Sequence, residues 1–225
     1  MAATFVTATG TDVGKTFVTA GLIRHLRAQG RKVDAIKPVV SGFDPDRVAA
    51  TDPGVLLQAL GHSLDPAEIA RISPWRFRAP LSPDLAAARE GGSIEFTKLV
   101  EFSRQSIAAA ADMLLIEGAG GIMAPLDDRR TVLDWMTVLR VPAVLVTGSY
   151  LGTISHTLTA LHVLAQRNVD VNAIVVSETP GSSVSLMDTV ASIARFSVPI
   201  TVVGIPRLPH LHADHPAFAE LATLL

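Results

Sequence analysis

A glycine, a lysine and a threonine follow a short apolar segment near the start of the chain, a combination suited to binding phosphate. They are Gly14, Lys15 and Thr16, within the stretch VTATGTDVGKT that covers residues 6–16. Glycine lets backbone amides approach phosphate oxygens, a lysine can neutralise the outer phosphates, and a threonine hydroxyl can bind magnesium. The pattern predicts a nucleotide phosphate-binding loop, with a surface turn that matches by chance as the alternative.

The spacing of this loop differs from the common form, in which a glycine and four further residues precede Gly-Lys-Ser/Thr. Counting back from Gly14 places that first glycine at Thr9, whereas Gly10 lies one position later. The loop therefore either matches by chance or belongs to a branch of nucleotide-binding proteins with its own loop length.

Two charged residues close later apolar segments, and a third follows a loop. Lys37 ends the second segment and Glu117 ends MLLIE, while Asp52 precedes an apolar helix-like stretch. A carboxylate beside a phosphate loop can hold magnesium directly or through water. The alternatives are an edge lysine with its ammonium in solvent, a solvated strand-end acid, and, for Asp52, a helix N-cap.

A histidine-rich stretch, HLHADH, lies near the C-terminus. His210, His212, Asp214 and His215 have the alternation that zinc sites use. The stretch lies between prolines and far from the phosphate loop in sequence, so a solvated loop is the favoured interpretation.

Composition narrows the classes of partner. The 225 residues carry 19 basic and 21 acidic side chains, a net charge of -2, and no cysteine. This balance provides no basic patch for nucleic acid or anionic membranes, and the lack of cysteine excludes disulfides, thiolate metal sites and cysteine nucleophiles. Without a membrane-length apolar run, we expect a cytoplasmic protein with small-molecule ligands.

Short apolar segments alternate with helix-length amphipathic ones, which predicts an α/β fold with a parallel sheet. Expected strands cover residues 4–8, 33–37, 113–117, 143–147, 173–177 and 200–204, and expected helices cover 15–29, 96–111 and 153–168. The last helix should pack on the sheet through Ile154, Leu158, Leu161 and Ala165. Residues 74–92, with three prolines, should form a functional loop.

Six ordered motifs make the sequence resemble the dethiobiotin synthetases. They are FVTATGTDVGKT, KPVVSG, APLSPDLAA, EGAGG with a following PL, LGTISHT and VGIPRL. The phosphate loop of that family is one residue longer than the common one, which resolves the unusual spacing and places the first glycine at Ala8. Alanine is a departure there, tolerated if the position needs only a small side chain and a negative φ.

The resemblance implies a single P-loop NTPase-like domain over residues 1–225, with a mostly parallel sheet and helices on both faces. It also implies a homodimer that uses ATP and magnesium to close the ureido ring of dethiobiotin from 7,8-diaminononanoate and carbon dioxide.

The resemblance also assigns site residues. Catalytic roles fall to Lys37, Lys15 and Thr11, and the magnesium site to Thr16, Asp52 and Glu117. Nucleotide contacts are implied for Thr11, Asp12, Val13, Gly14, Lys15, Thr16, Glu117, Ser177, Gly204, Ile205 and Pro206. Substrate contacts are implied for Ser41, Lys37, Leu151, Gly152 and Ser155. Ser177 and Ser155 each replace a frequent asparagine, which bears on base selectivity and on one substrate contact.

Two rival classes share this type of fold. Partition or regulatory ATPases carry an extra lysine five positions before the invariant one, and that position is Gly10 here. Amidotransferase-type ligases append a glutaminase domain with a cysteine nucleophile, which a chain without cysteine cannot contain.

Overall fold

The apolar segments predicted as strands lie side by side in one six-stranded parallel sheet of a computed structural model, in the order β2-β5-β1-β6-β7-β8. The structure describes residues 2–208 and 215–225. The strands of this sheet are β1 Ala2–Ala8, β2 Val33–Ile36, β5 Met113–Glu117, β6 Ala143–Gly148, β7 Val171–Ser177 and β8 Thr201–Ile205. A second, two-stranded parallel sheet pairs β3 Val39–Ser41 with β4 Trp75–Phe77.

The described helices are α1 Lys15–Ala28, α2 Asp52–Leu60, α3 Pro66–Ile72, α4 Pro83–Arg89, α5 Phe96–Ala109, α6 Val132–Leu139, α7 Thr153–Gln166, α8 Leu186–Phe196 and α9 Pro216–Ala222. A short 3-10 turn, Val48–Ala50, precedes α2. Every residue of β5 and β6 is buried, so helices cover the sheet on both faces, as their continuous apolar sequences predict.

The strand order reverses at β1, which pairs with β5 on one side and with β6 on the other. Val6 lies opposite Glu117, and Ala8 lies opposite Val146. Because all six strands run in parallel, the residues that follow them meet at one edge, and the switch in strand order opens a crevice there. The phosphate loop, Glu117 and the end of β6 therefore come together at the centre of that edge.

Helix α7 packs on the sheet, as predicted, but through a face that only partly matches the predicted one. The buried residues are Thr153, Thr157, Ala160 and Leu164. Of the predicted residues, Ile154 and Leu161 are partly buried and pack against the core, whereas Leu158 is partly buried and Ala165 is exposed. The prediction missed the two threonines because it was based on apolar side chains. Thr153 and Thr157 are instead satisfied by hydrogen bonds to Thr147 at the end of β6.

Residues 74–92 are more regular than predicted. They contain the strand β4 and the helix α4, which begins at Pro83 after Ser82. Proline suits the first turn of a helix, where its missing N–H would have no partner. The irregular part is confined to residue 74, residues 78–82 and residues 90–92.

The histidine stretch falls largely outside the described residues, which include only His215 of the four candidate zinc ligands. His215 Nδ1 accepts a hydrogen bond from Ala217 N at 3.3 Å and caps α9. None of the helices in the described ranges combines the length and apolar composition needed to cross a bilayer.

Helix α9 packs against α1, the helix that follows the phosphate loop, and a glycine permits the contact. A Cβ atom at Gly21 would lie 2.0 Å from Cζ of Phe218, whose ring is fully buried. We expect Gly21→Ala to lower the free energy of unfolding by about 1–3 kcal/mol, the usual cost of overpacking a core. Urea denaturation measures the change.

Gly92→Ala is the matched control, since its added Cβ would meet Ala87 O only at 3.8 Å. Equal stabilities of the two variants would contradict close packing of α9 on α1.

Candidate active site

A cleft of about 1050 Å3 opens at the carboxyl edge of the sheet. Its walls come from the phosphate loop, strand β3, the residues after β2 and β5, the start of α2, the segment 80–83, and one face of α7. Loops that follow parallel strands carry free backbone amides and polar side chains, which is why ligands bind at this edge. The cleft is large enough for a nucleotide together with a second small molecule.

The phosphate loop adopts a conformation that depends on Gly14. Gly14 has φ of 100° and Asp12 has φ of 57°, so the chain turns through left-handed conformations before α1 begins. A Cβ atom at Gly14 would also lie 2.7 Å from Ser177 Oγ. Both the backbone angle and the contact require glycine. Ala8 lies in extended strand β1 and is fully buried, so it needs no glycine.

Lys15 is buried and lies at the phosphate loop. Its Nζ donates a hydrogen bond to Gly10 O at 3.2 Å, and its relative exposure is 7%. Burial, together with the positive charge of Lys37, lowers the pKa of Lys15 to about 8. The ammonium group has poor compensation in the free protein and is suited to meet incoming negative charge.

Lys37 follows β2 and points inward, so its interpretation as a solvent-facing edge residue is wrong. Its Nζ lies 2.7 Å from Glu117 Oε1 and 3.1 Å from Asp52 Oδ2, and it donates to Gly118 O at 3.1 Å. Burial alone would lower the pKa of Lys37, but the two carboxylates outweigh it and raise that pKa. Lys37 therefore keeps its proton at neutral pH.

Glu117 is fully buried, so it is not a solvated strand-end acid. Its Oε1 accepts hydrogen bonds from Lys37 and from Thr16 Oγ1, the latter at 2.6 Å, while Oε2 has no hydrogen-bond partner among residues 2–208 and 215–225. A buried carboxylate oxygen without a partner is costly, which indicates that a ligand completes its environment.

Asp52 is the first residue of α2 and does not cap it, because Thr51 accepts the capping bond from Gly54 N. Burial would raise the pKa of Asp52, but Lys37 and a hydrogen bond with Thr16 lower it. Thr51 and Gly54 thus fix the helix start, which leaves the Asp52 carboxylate free to face Lys37.

The oxygen atoms of Thr16, Asp52 and Glu117 fit a hard divalent cation such as magnesium. Across residues 2–208 and 215–225, no group of three or more histidine, cysteine, aspartate or glutamate residues is arranged to hold a metal. Two carboxylates and a hydroxyl are too few ligands to enclose a divalent cation, so a cation bound by these three residues would take further ligands from water or phosphate.

The structure places the expected substrate residues in two groups. Thr11, Lys37 and Ser41 line the cleft, and Ser41 Oγ is buried with no hydrogen-bond partner in the part of the chain that the structure describes. Leu151, Gly152 and Ser155 are exposed before and within the first turn of α7, outside the cleft lining of this chain.

Several cleft residues were missed from the sequence. They are Pro80, Leu81, Ser82, Pro83, Met123, Ala124, Pro125, His156 and Thr159. The motif APLSPDLAA and the PL after EGAGG contained the signal for most of these positions, but nothing local in sequence showed that they approach the phosphate loop.

A second, smaller cleft of about 50 Å3 lies on the other side of the phosphate loop. Asp12, Val13 and Gly14 form one wall, and Ser177 and Pro206 belong to the opposite one. Gly204 and Ile205 do not line it, because a Cβ at Gly204 would face Val190 at 3.0 Å and Ile205 is buried in the core. Five further residues complete the lining, and the sequence did not assign all of them to the site. They are Phe17, Glu178, Thr179, Pro180 and Arg207.

Comparison with known proteins identifies the family. A family model described as an AAA domain matches residues 2–215. The ATP-dependent dethiobiotin synthetase BioD of Methylobacterium nodulans is 50% identical over 87% of this chain and 89% of its own. The protein of the same name from Acidiphilium cryptum is 47% identical over 85% and 86%.

Solved structures agree on the fold. The hydrogenase maturation factor HypB of Archaeoglobus fulgidus aligns with a TM-score of 0.57 at 13% identity, covering 99% of this chain and 87% of its own. The septum site-determining protein MinD of Pyrococcus horikoshii, complexed with Mg-ADP, aligns with a TM-score of 0.53 at 17% identity, covering 98% and 94%. These identities are low and bear on the P-loop NTPase fold alone. The match to the AAA-domain model and the identity to full-length relatives show that this chain belongs to the family of the ATP-dependent dethiobiotin synthetases.

Proposed function

We propose that this protein is an ATP- and magnesium-dependent ligase that closes the ureido ring of dethiobiotin, a step of biotin biosynthesis. The observation that carries the proposal is the pair of buried lysines, Lys15 and Lys37, which face one cleft beside a phosphate loop. Its substrates are 7,8-diaminononanoate, carbon dioxide and ATP, and its place of action is the cytoplasm.

The reaction needs phosphoryl transfer because a carbamate is a poor electrophile. One amine of the substrate attacks carbon dioxide and loses a proton, which gives a carbamate. A carbamate oxygen then attacks the γ-phosphorus of ATP, and ADP leaves. The second amine attacks the carbonyl carbon of the resulting carbamic-phosphoric anhydride and loses a proton. A C–N bond forms, the C–O bond to phosphate breaks, and inorganic phosphate departs with ring closure.

The residues of the cleft suit this chemistry, which asks a protein for positioning and charge neutralisation more than for a covalent nucleophile. Lys15 meets the phosphates of the nucleotide. Lys37, fixed by Glu117 and Asp52, presents a permanent positive charge where the carbamate and the γ-phosphoryl group meet. Thr11 supplies a hydroxyl group from the phosphate loop, and Ser41 supplies another from the end of β3.

Thr16, Asp52 and Glu117 are the residues that would hold magnesium. An ion held there would supply positive charge to neutralise the phosphates of the nucleotide. Thr16 lies in α1 and Asp52 lies in α2, both next to the phosphate loop, and Glu117 ends β5, the strand beside β1. The three side chains therefore approach a common point from three different elements.

The carboxylate of the diamine has a proposed site at residues 151–155, where the backbone amides of the first turn of α7 attract an anion. Leu151 is 87% exposed, and Leu85 and Met123 are each 56% exposed. These residues lie outside the main cleft or at its rim, which favours a homodimer in which the second subunit covers them.

A regulatory ATPase is the rival function. Gly10 stands where the extra lysine of that class would be, and such a protein would leave the buried Lys37 without a role. Incubation of the purified protein with 7,8-diaminononanoate, bicarbonate and magnesium ATP decides between them. We expect dethiobiotin by mass spectrometry, with no product when any one component is omitted; ATP hydrolysis without dethiobiotin would favour the rival.

Replacement of Lys37 tests its role in the reaction. We expect Lys37→Gln to lower kcat by about 100-fold or more, because removal of one preorganised charge costs a few kcal/mol in the transition state. The glutamine amide can still donate to Glu117, and circular dichroism monitors the fold. The control is Lys98→Gln, an exposed lysine paired with Glu95, which should keep full turnover. Wild-type kcat in Lys37→Gln would contradict the assignment.

The lowered pKa of Lys15 predicts proton uptake on nucleotide binding. At about pH 9 the side chain of the free protein is mostly neutral, and bound phosphates raise its pKa, so binding takes up as much as one proton; at about pH 6.5 Lys15 is already charged and contributes none. Calorimetry of ATP binding in buffers of different ionisation enthalpy measures the uptake. Lys15→Gln should lose the difference between the two pH values, and an unchanged difference would assign the proton to another group.

Ser177 predicts relaxed selectivity for the nucleotide base. A serine hydroxyl donates or accepts one bond but cannot form the two-pronged amide contact that distinguishes adenine. The other candidate, Glu178, already accepts a hydrogen bond from Arg207 N at 2.7 Å. We expect appreciable use of GTP and CTP, and Ser177→Asn should sharpen the ATP preference in kcat/KM by about 10-fold to 100-fold.

Ser177→Ala is the control, since it removes the hydroxyl without adding an amide. A strong ATP preference in the wild-type protein that Ser177→Asn leaves unchanged would show that other groups select the base.

A further inference from the structure

Four threonine hydroxyls form a chain of hydrogen bonds beside the cleft, with Thr147 at its centre. Thr147 Oγ1 lies 2.9 Å from Thr9 Oγ1, 2.7 Å from Thr153 Oγ1 and 3.1 Å from Thr157 Oγ1. A hydroxyl has one donor and two acceptor sites, so three partners use its full capacity. Thr147, Thr153 and Thr157 are at most 1% exposed. Thr157 Oγ1 also donates to Thr153 O at 2.8 Å, so its single hydrogen is shared between that carbonyl oxygen and Thr147 Oγ1.

This chain joins the two sides of the cleft. Thr9 follows β1 at the start of the phosphate loop and lines the cleft. Thr153 is the first residue of α7, directly after Gly152, whose φ is 98°. The same helix carries His156 and Thr159 into the cleft lining. Thr147 therefore lies between the loop proposed to bind phosphate and the helix start proposed to bind the diamine carboxylate.

The hydrogens of the chain can be ordered in two ways, and Thr9 selects between them. When Thr9 donates to Thr147, Thr147 donates to Thr153 and accepts from Thr157. When Thr9 donates instead to a ligand in the cleft, Thr147 must donate to Thr9, and both Thr153 and Thr157 then donate to Thr147. Each order satisfies Thr147, and the second aligns every hydroxyl towards the ligand, so that the bonds polarise one another.

We propose that Thr147 is a positioning residue that couples the nucleotide site to the diamine site, an inference that rests on the function proposed above. A phosphate oxygen that accepts from Thr9 reverses the chain and changes Thr153 from acceptor to donor at the start of α7. The position of the helix start then depends on occupancy of the phosphate loop, and nucleotide binding increases the affinity for the diamine. By linkage, the diamine increases nucleotide affinity by the same factor.

The coupling is measured as the ratio of two dissociation constants. Calorimetry gives the Kd of 7,8-diaminononanoate with and without saturating magnesium adenylyl imidodiphosphate. We expect a ratio of about tenfold in the wild-type protein, within the usual range of coupling between sites. Thr147→Val keeps the side-chain shape and removes the hydroxyl, so its ratio should fall to within about twofold of one. Thr147→Ser keeps the hydroxyl and should restore the wild-type ratio.

Thr189→Val controls for the loss of a buried hydroxyl elsewhere. Thr189 is 1% exposed and donates to Ser185 O within α8, away from the chain of threonines. We expect this variant to keep the wild-type ratio. A wild-type ratio in Thr147→Val, or an equal loss in Thr189→Val, would overturn the coupling role, as would a ratio of one in the wild-type protein.

Two additions keep the test decisive. Thr153→Val removes the next hydroxyl of the chain and should lower the ratio even if Thr147→Val fails to fold; a wild-type ratio in Thr153→Val would overturn the proposal.

Dethiobiotin formation by the wild-type protein is measured in parallel. Coupling without product would refute the ligase function alone, whereas product without coupling would refute this inference alone.

Discussion

The burial of Lys37 between Glu117 and Asp52 is the interaction on which the site depends. An ammonium group taken out of water costs several kcal/mol unless opposite charges and hydrogen bonds compensate it. Here the compensation comes from three parts of the chain: β5 supplies Glu117, α2 supplies Asp52, and the turn after β5 supplies Gly118 O. Loss of one partner from such a cluster typically costs about 3–5 kcal/mol, so the cluster holds β2, β5 and α2 in register.

The same cluster prepares the site electrostatically. Lys37 and Lys15 balance Glu117 and Asp52 in charge, yet the compensation is uneven, because Lys37 contacts both carboxylates while Lys15 contacts only a carbonyl oxygen. The pKa of Lys37 is therefore raised and that of Lys15 is lowered. One lysine is a fixed charge, and the other gains most from an anionic ligand.

The sequence predicted the features that depend on local pattern. The continuously apolar strands, the glycine-dependent phosphate loop and the charged residues at strand ends follow from chain geometry, since parallel strands place their carboxyl ends at one edge. The apolar pattern predicted part of the packed face of α7, through Ile154 and Leu161. It missed Thr153 and Thr157, because their hydroxyls bond to Thr147, a residue that belongs to a different element. Residues 80–83 approach the cleft, and Ser177 approaches Gly14, through contacts between segments that are distant in sequence. Local pattern could not predict these contacts either.

The two clefts differ in the groups that line them, so each is suited to a different part of a ligand. The larger one concentrates fixed charge and hydroxyl groups around the phosphate loop, where the transition state develops negative charge. The smaller one is built from backbone segments, from Ser177 and from a carboxylate, Glu178, that is partly used in holding Arg207 N. Gly14 forms the thin wall between them, and its lack of a side chain allows Ser177 to approach the loop. The proposed assignment of the base to the smaller cleft therefore predicts that changes at Ser177 alter contacts to the base, while the charges proposed to act on the phosphates stay in place.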